Sequence, residues 1–105
     1  MRTLLFLLLV IGGAAHAAQT VKAHVNGMVC AFCAQGIEKK ARALPQTEDV
    51  YVNLKRKIVA VQVKEGQTLS GDTLKSLVKD AGYDVVQVET VDDTTAGIRA
   101  RMEHE

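Results

Sequence analysis

The sequence predicts an α+β fold, a four-stranded antiparallel sheet with two helices packed on one face, in the order βαββαβ. Short stretches that alternate apolar and polar residues predict the strands, and longer stretches with an apolar stripe at helical spacing predict the helices. The order of the two kinds along the chain predicts the topology. The middle strands follow one another directly and must pair as a hairpin, and the simplest arrangement covers that antiparallel sheet on one side with both helices.

Thr20 to Asn26 is the first strand, with Val21, Ala23 and Val25 on one face and Lys22, His24 and Asn26 on the other. Gly27 interrupts the alternation. Ala34, Ile37, Ala41 and Leu44 then mark a helix whose other positions, Gln35, Glu38, Lys39, Lys40 and Arg42, face water; Pro45 ends it. Val50, Val52 and Leu54 alternate with Tyr51 and Asn53, and Val59, Val61 and Val63 alternate with Ile58, Ala60 and Gln62. The turn Lys55-Arg56-Lys57 between them completes a hairpin. Its basic cluster fits a solvated turn or, more sharply, a docking patch for an acidic partner.

Lys64 to Gly71 is a polar loop. Leu74, Leu77, Val78 and Ala81 mark the second helix, with Ser70 or Asp72 to cap its start and Gly82 at the left-handed position past its end. Tyr83 to Thr90 is the last strand, with Val86 and Val88 on one side and Val85 and Gln87 on the other. From Val91 the pattern fades, and residues 91–105 are expected as a flexible tail.

Residues 1–17 stand apart. Arg2, the apolar run Leu4 to Ile11 and the small residues through Ala15-His16-Ala17 have the form of a secretory signal peptide cut after Ala17. The run falls short of the roughly 20 residues that span a membrane. The expectation is therefore a periplasmic protein with no stable membrane insertion after cleavage, built of one domain over residues 18–90. Losing Arg2 would bring the 13 Lys and Arg level with the 12 Asp and Glu, which leaves no basic face for nucleic acid or anionic lipid. The length suits one small domain, expected as a monomer.

The chain's 2 cysteines, Cys30 and Cys33, sit between the first strand and the first helix. A disulfide across two intervening residues closes too small a loop to stabilise much, so the pair is a site rather than a staple. Haem attachment needs a histidine where Ala34 stands. Structural zinc and iron–sulfur clusters need four ligands. A thiol-disulfide oxidoreductase remains the rival reading, although the element order differs from the usual redox fold and Pro45 lies at the wrong end of the helix. A two-thiolate site at a helix start suits a soft ion of low coordination number, Cu(I) first and Hg(II) next. Cys30 is expected as the accessible thiolate in the loop, and Cys33, four residues before Ile37, as the one anchored toward the core.

Gly27-Met28-Val29-Cys30-Ala31-Phe32-Cys33 resembles the GMxCxxC motif of the heavy-metal-associated domain family, and Asp80-Ala81-Gly82-Tyr83-Asp84 is similar to that family's glycine–tyrosine segment. The resemblance spans roughly Thr20 to Glu89. It implies a ferredoxin-like fold, a metal held by Cys30 and Cys33, and a role like that of copper chaperones or exported mercury-binding members. Val29 stands where many members carry threonine or serine, and it is not the acidic neighbour of members that prefer zinc, so Zn(II) ranks last. The resemblance gives Met28 a packing role and makes Tyr83 a shield over the metal loop. His24, Met102 and His104 are weaker candidates for secondary metal contacts, and Phe32 is either a docking contact or a cover over the site. The function expected is a non-enzymatic carrier that passes its ion by ligand exchange to a membrane metal transporter or another metal-binding domain.

Overall fold

The computed structural model describes residues 18–104. The expected signal peptide and its cleavage point fall on residues 1–17, outside the described residues. Strands β1 (Gln19–Asn26), β2 (Thr47–Asn53), β3 (Ile58–Val63) and β4 (Asp84–Val91) form one antiparallel sheet in the order β2-β3-β1-β4. Helices α1 (Ala31–Arg42) and α2 (Gly71–Asp80) lie on one face, in the expected βαββαβ order. Among the described residues no helix is long and apolar enough to cross a membrane.

The alternation in the sequence sets the face of each strand. Val21, Ala23 and Val25 of β1 and Val59, Val61 and Val63 of β3 are buried beneath the two helices. Ile37 of α1 and Leu74 of α2 meet them fully buried, each side chain contributing about 1.5–3 kcal/mol of hydrophobic stabilisation. Ser70 caps α2 by accepting the Thr73 N–H at 3.1 Å, while Asp72 stands in the first turn. Gly82, with φ +98°, supplies the left-handed residue past the end of α2.

Two details of the strands differ from the simple alternation. Val25 pairs with Val85 but His24 with Gln87, so Val86 is an extra residue on β4. This bulge brings Val85 and Val88 onto the same, core-facing side and leaves Val86 72% exposed, in place of the strict period expected from the sequence. A second irregularity lies on β2, between Thr47 and Asp49.

The larger departure is at the C-terminus. Residues expected as a flexible tail instead extend β4 to Val91 and form helix α3 (Thr95–Glu103). This helix lies against β2 and β3 on the sheet face that α1 and α2 leave free, where Ile98 packs with Tyr51 and Ala60. Polar bonds fix its first turn. Thr94 caps the helix by accepting the Gly97 N–H at 2.9 Å, and the Thr95 N–H donates to Gln62 Oε1 at 3.0 Å. Thr95 Oγ1 donates to Asp49 Oδ2 at 2.5 Å, and Thr20 Oγ1 donates to the Asp93 carbonyl at 2.6 Å. The Arg99 guanidinium stands 4.9 Å from the centre of the Tyr51 ring.

Candidate metal centre

Strand β1 is the inner strand beside β4, and its C-terminal end delivers the chain to the cysteines. Gly27 makes the turn with φ +88°, a conformation that side-chain-bearing residues rarely adopt. The Tyr83 ring lies beside it, 3.5 Å from where a Cβ on Gly27 would stand. Met28 then enters the core with no exposed surface and ties down the loop from below. Its thioether therefore packs, in line with the role the resemblance implies.

Cys30 occupies the N-cap of α1, with extended backbone at φ −133° and ψ 152°. Its sulfur accepts the Cys33 N–H at 3.1 Å, and its carbonyl accepts the Ala34 N–H at 3.0 Å. A sulfur thus fills the place that a serine, threonine or aspartate oxygen usually takes. No acidic residue lies in the first turn of α1, so the partial positive charge there is left for the cysteine sulfurs to offset. That environment favours thiolate over thiol.

The two residues are joined as a disulfide, with Cα atoms 5.2 Å apart. The expected contrast between an outer Cys30 and an inner Cys33 is absent, because both are half-buried. Cys30 is drawn in by its capping bond, whereas Cys33, in the first turn, stops short of the buried stripe that begins at Ala34. On either side the surface is apolar and open. Val29 is 71% exposed and Phe32 83% exposed, so Phe32 does not cover the sulfurs.

The other candidates stand apart from the pair. His24 is on the second face of the sheet, its Nε2 3.8 Å from Glu89 Oε2. Met102 is on α3, where its sulfur accepts from Asn53 Nδ2 at 3.8 Å, and His104 follows exposed at the helix end. Among the described residues no three His, Cys, Asp or Glu side chains cluster to hold a metal ion. The candidate centre is thus the pair of cysteine sulfurs, a donor set that fits a soft ion better than one that demands four ligands.

Lys39 and Lys40 belong to the last turn of α1, where they complement the carbonyl end of the helix rather than the cysteines. The turn Lys55-Arg56-Lys57 is tied to the end of β1, where the Val25 N–H donates to the Lys57 carbonyl at 2.8 Å. The hairpin tip therefore shares the end of the sheet from which the cysteine loop departs. Sequence spacing alone did not reveal this, since the relation depends on how β3 registers against β1.

Comparison with known proteins points the same way. The heavy-metal-associated domain model matches residues 23–84. A copper-exporting P-type ATPase of Staphylococcus haemolyticus (strain JCSC1435) is 31% identical over 80 residues, 76% of this chain and 10% of the ATPase. Copper-transporting ATPase 1 of Rhizobium meliloti (strain 1021) is 36% identical over 61 residues, 58% of this chain and 7% of that protein. The chain thus spans a tenth or less of the length of these relatives. Among solved structures, a CopZ metallochaperone superposes with TM-score 0.59 at 28% identity, covering 64% of this chain and 98% of its own. Oxidised MerP from Ralstonia metallidurans CH34 does so with TM-score 0.57 at 30% identity, covering 68% of this chain and 100% of its own. Helix α3 lies beyond the matched residues.

Proposed function

This chain belongs to the heavy-metal-associated domain family, and from that premise we propose that it is an exported carrier of a soft metal ion, held by Cys30 and Cys33. The observation that carries the reading is the capping bond from the Cys33 N–H to the Cys30 sulfur at 3.1 Å, which puts both sulfurs at the electropositive start of α1. Once reduced, the pair loses its protons on binding and presents two soft anionic donors. Cu(I) is the first candidate and Hg(II) the second, in keeping with relatives that are copper-transporting ATPases and a neighbour that is MerP. Zn(II) ranks third, since a structural zinc site takes four ligands.

The carrier releases its ion without catalysing a reaction: incoming thiolates of a membrane metal transporter, or of another metal-binding domain, replace Cys30 and Cys33 one at a time. The exposed flanks at Val29 and Phe32 leave room for that approach. Export to the periplasm rests on the pattern of residues 1–17, and in an oxidising compartment the disulfide must be reduced before metal can bind. Anaerobic titration of the reduced protein with Cu(I), Hg(II) and Zn(II) against a chromophoric chelator tests the reading. One Cu(I) per chain is expected, and none in the Cys30→Ser, Cys33→Ser double variant; stoichiometric binding by that variant overturns the site.

The disulfide itself favours a second reading, thiol-disulfide exchange. Insulin reduction separates the two: a carrier shows no sustained turnover, and catalytic turnover overturns the carrier reading.

A further inference from the structure

Helix α3 lies outside residues 23–84, so it is what this chain adds to the shared domain, and its two ends are held differently. Oxygen and nitrogen groups of Thr94, Thr95, Gln62 and Asp49 fix the first turn. The last turn is bonded to β2 through a sulfur. Asn53 Nδ2 donates to Tyr51 Oη at 3.0 Å and to Met102 Sδ at 3.8 Å, which uses both N–H groups of that amide. Asn53 Oδ1 accepts the Arg56 N–H at 2.9 Å and carries the tie on into the hairpin turn. The rest of the Met102 side chain packs on the cluster of Tyr51, Ala60 and Ile98. Arg101 also pairs with Asp93, but the Arg101 side chain is 62% exposed, and such a surface pair holds a helix only weakly.

A thioether is the group in this set that a mild two-electron oxidant converts. The two methionines of the described residues differ in access. Met28 has no exposed surface, whereas Met102 is half-buried and lines a cavity of about 280 Å³ on the second face of the sheet. A cavity of that size admits water, and hydrogen peroxide is little larger.

We propose that Met102 is an oxidation site for hydrogen peroxide, and that its sulfoxide releases α3 from the sheet. The sulfur gives an electron pair to one peroxide oxygen. An S–O bond forms as the O–O bond breaks, and the leaving hydroxide takes the proton of the transferred oxygen and departs as water. The product is a polar, chiral side chain in a place that suits an apolar one. An oxygen set between sulfur and Asn53 needs a hydrogen bond of about 2.9 Å beyond its own bond to sulfur, more than the 3.8 Å gap holds in line. Turned the other way, it meets the apolar cluster. The site is independent of the cysteines and of the metal they are proposed to hold.

Peroxide treatment of the disulfide form, whose cysteines do not compete as thiols, followed by peptide mass spectrometry and amide hydrogen exchange, tests this. Met102 should take up one oxygen before Met28 does. Residues 95–103 should then exchange about tenfold faster while the amides of β1 keep their protection. Met102→Leu keeps the packing and should remove the response. Met102→Gln, polar and unbranched like the sulfoxide, should show the faster exchange without peroxide. Equal oxidation of Met28, unchanged exchange in the singly oxidised protein, or an undiminished response in Met102→Leu overturns the proposal.

Discussion

The sulfur of Cys30 accepts the backbone N–H of Cys33 at 3.1 Å, so the first cysteine of the pair is also the residue that starts the helix. In the proposed carrier one atom serves both metal binding and local folding. Substitutions at position 30 can separate the two roles. Cys30→Ser should abolish tight metal binding yet keep the cap, whereas Cys30→Ala should lose both and cost about 1 kcal/mol of stability. Urea denaturation of the reduced variants, beside metal titration, checks the split; equal stability of the two variants would remove the capping role.

Cys30 should also be the more acidic thiol. Its sulfur accepts the Cys33 N–H, and it stands at the cap where the helix potential is strongest. Alkylation of the reduced protein across a pH series, with the modified cysteine identified by mass spectrometry, should show Cys30 reacting at the lower pH. Faster reaction at Cys33 throughout would contradict this.

Gly27→Ala tests the turn that leads into the loop. A Cβ there meets Tyr83 only at 3.5 Å, an ordinary contact, so the penalty comes from φ +88° rather than from a clash. The variant should lose about 1–2 kcal/mol, the usual cost of left-handed backbone for a residue with a side chain. Thermal unfolding measures it, and an unchanged midpoint would show that the loop relaxes freely.

Ile98→Ala should loosen α3. The side chain is 1% exposed between Tyr51 and Ala60, and truncating such a residue costs about 2–5 kcal/mol when the site cannot collapse. Hydrogen exchange should speed up in residues 95–103 before the rest of the chain is affected. If exchange there is already fast in the wild-type protein, the helix contributes little.

Acid should act on the same helix through Asp49. Burial raises its pKa, but the hydrogen bonds from Thr95 Oγ1 and the Val50 N–H, together with the Arg42 charge, outweigh burial and hold it below the ordinary 3.8. A depressed folded-state pKa means that the stabilisation is present above pH 3.8 and is lost as pH falls through the folded value. The Thr95 and Ile98 signals should therefore hold steady from neutrality down to about that pH and shift below it. Asn at position 49 should flatten this response.

The six elements of the βαββαβ body were legible because each carries its own period, and Ile58–Val63 was placed with the same ends in sequence and structure. The place of the cysteine pair, at the start of the first helix, was legible because the two thiols directly precede an apolar helical stripe. Two features escaped. Helix α3 turns Thr95, Ile98 and Met102 toward the sheet, and one threonine, one isoleucine and one methionine make too faint a stripe to distinguish from a tail. The clue lay elsewhere, in the near-continuous apolar run Ile58 to Val61 beside Tyr51, which suits a strand buried on both faces. The half-burial of Cys30 was hidden for another reason: it depends on a side-chain cap, and cysteine is not a residue from which one expects a cap.

The two outer strands, β2 and β4, each carry an irregularity, between Thr47 and Asp49 on one and at Val86 on the other. An exposed sheet edge invites another chain to extend it, and a kink in the ladder breaks the straight row of donors and acceptors such an addition requires. Both ends of this sheet are blunted in that way. The bare apolar side chains of Val29 and Phe32 beside the cysteine loop are therefore not accompanied by a straight, open sheet edge.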